Sequence, residues 1–115
     1  MARYDYVHFD ELDGTVKKVR KALGVTAFGV NYFDLPAGAE GLEHNETRSN
    51  QEEVYVYVKG SGRLRLGDDE IEVREGIAVR VAPEVTRQPI AGDEGLAWVA
   101  IGAPKGGGYE PPSWG

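Results

Sequence analysis

Apolar residues in this chain recur at every second position in short runs, and each run stops at a cluster of glycine, proline or aspartate. The clearest run, Val54-Tyr55-Val56-Tyr57-Val58, alternates valine with tyrosine and meets Gly60-Ser61-Gly62. Period two is the repeat of a strand whose successive side chains point to opposite faces, so the pattern predicts half-buried β-structure. Similar runs cover Tyr4 to Phe9, closed by Asp13-Gly14, and Thr26 to Leu35, closed by Pro36-Ala37-Gly38. Arg63 to Leu66 and Ile71 to Val73 flank Gly67-Asp68-Asp69, a hairpin signal. Ala78 to Val81 and Leu96 to Ile101 complete the set. Only Val16, Val19 and Leu23 sit at helical spacing, which predicts a short helix from Val16 to Leu23 that stops at Gly24. So many short strands predict an all-β barrel of two facing antiparallel sheets, with fewer than about 15 residues in helix.

At 115 residues the length predicts one domain, 1–115, and 41% apolar residues suffice to fill one core. The stretch 104–115 is rich in glycine and proline and is expected to be an irregular tail, with Tyr109 and Trp114 available to dock it on the barrel. The absence of cysteine excludes disulfides, thiolate metal sites and a cysteine nucleophile. A net charge of −6 without a basic stripe argues against nucleic acid as a partner. The opening residues lack the basic-then-apolar layout of a signal peptide, and no apolar run approaches the roughly 18 residues of a membrane span. A cytoplasmic protein without membrane contact is the expectation.

Two spaced motifs narrow the fold. Gly38 is followed, after five residues, by His44-Asn45-Glu46, then Glu53, six further residues and Gly60. Gly76 is followed by Ile77 to Val81, Ala82-Pro83-Glu84, Val85-Thr86 and Arg87. Together they resemble the paired motifs of the cupin superfamily, the first at about 38–60 and the second at about 76–90. The resemblance implies a double-stranded β-helix, or jelly-roll, barrel and a homodimer, to which a strand such as Tyr4 to Phe9 could add an edge. In cupins that bind metal, three histidines and a glutamate point into the barrel and hold Mn, Fe, Ni, Zn or a similar ion. Position by position, His44 matches the first histidine and Glu53 the glutamate. The second histidine falls on Glu46 and the third on Arg87, and the motif's proline and glycine fall on Ala82 and Glu84.

These departures change the chemistry. Imidazole and carboxylate offer lone pairs to a cation, whereas guanidinium has none and stays charged. An inward Arg87 would repel a divalent ion and pair with Glu53 or Glu46, whose burial otherwise costs heavily. An exposed strand end at Glu52-Glu53 and a solvated Arg87 are the plainer alternative. If Glu53 points inward, alternation puts Tyr55 and Tyr57 on its face, as pocket walls or as ordinary core. Trp98 reads as core, and His8 as an ordinary strand residue. The glycine clusters precede no helix and so do not form a phosphate loop.

Three functions fit. The first, which the departures favour, is a small polar organic ligand bound in a pocket of His44, Glu46, Glu53, Tyr55, Tyr57 and Arg87, with no cofactor. The second is a Mn- or Fe-dependent enzyme such as a dioxygenase, isomerase or decarboxylase, with His44, Glu46 and Glu53 on the metal. The third is a structural or interaction module with a closed barrel.

Overall fold

A computed structural model describes residues 3–115, so only the first two residues of the opening stretch and of the expected domain lie outside it. Among the described residues the alternating runs become six strands: β1 (Val16–Lys17), β2 (Gly29–Leu35), β3 (Gln51–Leu66), β4 (Asp69–Arg74), β5 (Ala78–Val81) and β6 (Arg87–Pro104). Every pairing is antiparallel, in the order β1-β2-β6-β3-β4, with β5 also paired to β3. The chain is therefore an all-β cupin-type barrel, formed by one continuous bent sheet and not by two separately paired ones. Helix among these residues is confined to α1 (Val19–Leu23) and one 3₁₀ turn, Phe9–Glu11.

Strands β3 and β6 make the frame. They run beside each other from the Gln51–Pro104 pair to the Leu66–Arg87 pair, with register shifts after Tyr57 and after Gly60. Extra residues at such shifts bend a strand and increase its twist, which lets one strand serve two walls of a barrel. Gly60-Ser61-Gly62 is thus the corner of β3 and not its end, a correction to the period-two reading. Gly60 has φ +75°, and a Cβ there would collide with the Gly95 carbonyl; a Cβ at Gly62 would collide with the Ile90 carbonyl. Glycine interrupts the strand pattern because the two backbones cross too closely for a side chain.

Three further expectations shift at the N-terminal side. The run from Tyr4 to Phe9 forms no strand: residues 4–8 are irregular, Tyr4 and Tyr6 are exposed, and the expected edge is not built there. His8 is no strand residue but caps the 3₁₀ turn, its Nδ1 accepting from Asp10 N at 3.1 Å. That turn sets Phe9 flat on Tyr32, ring centroids 4.1 Å apart. Val16 and Lys17 pair with Phe33 and Tyr32 as a strand, and the helix starts only at Val19. Phe9, Leu12, Val19 and Leu23 pack with Val30, Tyr32 and Val99 as a second core against the outer face of the sheet. The main core lies inside the barrel around Tyr55, Tyr57, Leu64, Val73, Val81, Leu96 and Trp98. In the tail, Tyr109 and Trp114 stay 71% and 88% exposed, so neither docks it.

Between β2 and β3, residues 38–46 carry no regular strand but lie along β6. Gly38 N donates to Gly92 O, Gly41 N to Pro89 O, and Ala91 N to Ala39 O, while His44 and Arg87 exchange amide-to-carbonyl bonds. This pinned segment brings the first motif against the second.

Candidate binding site in the barrel

The site begins with the polarity of β3. Glu53, Tyr55 and Tyr57 lie on its inner face, as period two requires, and the intervening valines face the other way. Glu53 Oε1 accepts from the Tyr55 hydroxyl at 2.8 Å and from Arg87 Nη2 at 2.8 Å. Arg87 Nε donates to the Tyr55 oxygen at 3.0 Å, closing a three-membered ring of bonds. The turn at Pro83, closed by Val85 N on Ala82 O, supplies the last partners: Arg87 Nη1 donates to Val85 O at 2.7 Å, with a longer contact to Ala82 O at 3.5 Å. Proline presets the backbone for that turn. Among the described residues Arg87 is the one charged residue buried outright, at 1% exposure, and its charge is met on every side.

Burial pulls the guanidinium's pKa down, but the bonds and charges of Tyr55 and Glu53 outweigh it and hold Arg87 above its ordinary value. Burial pushes the Tyr55 hydroxyl well above the phenol range; the Glu53 charge adds to this, while the bond and charge of Arg87 oppose it. Burial alone does the same to Tyr57. Both phenols therefore remain neutral hydrogen-bond donors near neutral pH.

In front of this network a cavity of about 480 Å³ opens into the barrel. Phe33, Tyr55, Tyr57 and Trp98 give it an aromatic floor, in which Phe33 stacks on Trp98 at 5.0 Å. His44 and Glu53 stand at its side, and Leu42, 76% exposed, sits at its rim. The Tyr57 hydroxyl is buried and has no partner among the described residues. A second hollow of about 490 Å³ adjoins it, lined by Glu46, Gln51 and Arg20 among others; Phe33, His44, Glu53 and Ala100 line both.

His44, Glu46 and Glu53 converge where the two hollows meet, their ligating atoms all within 4.8 Å of one another. His44 Nε2 is 3.9 Å from Glu46 Oε2 and 3.9 Å from Glu53 Oε1. All six residues singled out in the sequence thus come together, but Arg87 lies behind the wall of Glu53 and Tyr55 and lines neither hollow. Sequence reading missed Phe33, Leu35, Leu64 and Pro89, and took Trp98 only as core. Alternation along β2 puts Phe33 and Leu35 on one face, but the register that pairs Phe33 with Trp98 is set by folding.

The donor set does not fit the four-ligand ion of metal-binding cupins. A guanidinium stands where the third histidine would be, and it holds Glu53 Oε1. A ligating imidazole ordinarily donates its other ring N–H to an acceptor, whereas His44 Nδ1 is buried without a partner among the described residues.

A bent antiparallel barrel with a motif histidine and two glutamates on its inner side defines a cupin scaffold. No family model and no curated protein matches the sequence. Solved structures do: a cupin protein from Bacteroides fragilis aligns at 25% identity and TM-score 0.83, over 99% of this chain and 94% of its own. A cupin-2 conserved barrel domain protein from Salinispora arenicola aligns at 17% identity and TM-score 0.62, over 70% of this chain and 66% of its own. A sugar phosphate isomerase of the cupin superfamily from Silicibacter pomeroyi aligns at 23% identity and TM-score 0.67, over 76% of this chain and 57% of its own. The chain has the fold of these cupin proteins. Among the described residues, no helix is long and apolar enough to cross a membrane.

Proposed function

We propose that this cupin binds a small organic molecule inside its barrel and does so without a transition metal. The cavity of about 480 Å³ carries the reading, because it lies within the usual ~300–1,000 Å³ of small-molecule sites and has their mixture of apolar walls and few polar groups. A closed structural barrel would have filled that space with side chains. The metal-free half of the reading is supported by Arg87, whose fixed charge already compensates Glu53.

The test is a fragment screen by NMR on labelled protein, paired with elemental analysis before and after incubation with Mn, Fe, Ni and Zn. Shifts confined to residues such as Phe33, Tyr57 and Trp98, with no stoichiometric metal, are expected. About one ion per chain, lost in His44→Ala, would restore the Mn- or Fe-dependent enzyme built on His44, Glu46 and Glu53. A cavity that takes no fragment would return the chain to an interaction module.

A further inference from the structure

The accessible charge of the site is negative. Arg87, its buried cation, has a side chain with 0% exposure and bonds directed at Tyr55, Glu53 and two carbonyls, so it cannot reach a ligand. Facing the hollows are Glu40, Glu46 and Glu53, while Arg20, at the outer hollow, donates to Val25 O. A phosphate or carboxylate entering the inner cavity meets carboxylates, and the one cation lining either hollow, Arg20, stands at the outer one.

The same groups converge as acceptors. Glu53 Oε1, which already accepts from Tyr55 and Arg87, lies 3.9 Å from His44 Nε2, and that nitrogen, an acceptor in the tautomer protonated on Nδ1, lies 3.9 Å from Glu46 Oε2. A nitrogen placed just off the plane of three atoms spaced this way reaches each at about 2.8 Å, an ordinary charge-assisted bond. A primary ammonium has three N–H bonds to give. The aromatic floor next to it suits an apolar body and favours a cation over its faces. Independently of the acidic cluster, Tyr57 lines the same cavity, is 1% exposed, and keeps an unpartnered hydroxyl that the aromatic face of a ligand, or another acceptor on it, could satisfy.

We propose that the ligand is a small primary amine: its ammonium sits among His44, Glu46 and Glu53, and its apolar, preferably aromatic body lies over Phe33, Tyr57 and Trp98. This rests on the ligand-binding reading above and adds the charge and shape of what is bound.

Titration calorimetry and NMR with three compounds of similar shape test it: 2-phenylethylamine, 2-phenylethanol and 3-phenylpropionate, at neutral pH with chelator present. The amine is expected to bind one site at least about tenfold more tightly than the alcohol, and the carboxylate more weakly still. Glu46→Gln should weaken the amine by roughly tenfold and leave the alcohol unchanged. Alcohol or carboxylate binding in the cavity as tightly as the amine would overturn the amine assignment while the ligand-binding reading stands. Failure of all three to bind would overturn the assignment as well, and the fragment screen then decides whether the cavity binds anything. Normal amine binding by Glu46→Gln would remove the ammonium from the acidic cluster.

Discussion

Arg87 and His44 are locked together through the backbone, the amide of each donating to the carbonyl of the other at 2.8 and 3.0 Å, and both side chains address the same oxygen of Glu53. The guanidinium bonds it at 2.8 Å and the imidazole stops at 3.9 Å. A positive charge therefore stands at the position that the motif resemblance matches to the third histidine, and the stability of the barrel is expected to depend on it.

Arg87→Ala should destabilise the fold by about 3–5 kcal/mol, because it leaves Glu53 without its ion partner and Tyr55 without a donor. Arg87→Met combined with Glu53→Gln should recover much of the loss. Denaturant melts of the three proteins measure this; an effect within about 0.5 kcal/mol, the level of a surface site, would contradict it.

The two inner tyrosines should behave in opposite ways. Tyr55→Phe removes a hydroxyl bonded to both Glu53 and Arg87 and should cost about 1–3 kcal/mol. Tyr57→Phe removes a buried hydroxyl with no partner and should be neutral or mildly stabilising. Equal losses in thermal melts would show that Tyr57 has a partner after all.

Stability should fall in alkali. Tyr55 and Tyr57 hold their protons more tightly folded than unfolded, chiefly through burial. Above the unfolded phenol value of about 10 the native state binds more protons, so unfolding free energy declines as pH rises further. Below that value this contribution is fully present and flat. Urea melts from about pH 8 to about pH 11 should show the decline, and Tyr57→Phe should make it shallower. An unchanged slope in that variant would count against the burial of its phenol.

Gly60→Ala should be severe for a corner position, more than about 2 kcal/mol, since it combines a positive φ with a collision against the Gly95 carbonyl. A chemical melt within error of the parent would mean that the β3–β6 crossing relaxes freely.

Period two made the strands visible because each half-buried face must repeat it, and β5 was legible to the residue. It could not show that β3 continues past Gly60, since a glycine demanded by a backbone crossing looks like a glycine demanded by a turn. Nor could it separate Val16 from the helix, since Val16 and Val19 lie at helical spacing and only the pairing with Phe33 puts Val16 in a strand. In the site, motif spacing located His44, Glu46, Glu53 and Arg87, and alternation added Tyr55 and Tyr57. The cavity itself was not legible, because it is made by the meeting of β2 and β6, whose register depends on contacts distant in sequence. For the same reason the sealing of Arg87 by the carbonyls of the Pro83 turn was out of reach.

The long β3–β6 ladder also prescribes an order of assembly. Its Leu66–Arg87 end joins residues about 20 positions apart, and its Gln51–Pro104 end joins residues about 50 apart, so the first closure costs less chain entropy than the last. Zippering should start from the β3–β4 hairpin and Arg87 and reach the mouth of the barrel late. Glu53, which pairs with Gly102 two positions from the late end, would then close onto an Arg87 already held at the early end, so that the charge pair ties the last-formed part of the ladder to the first.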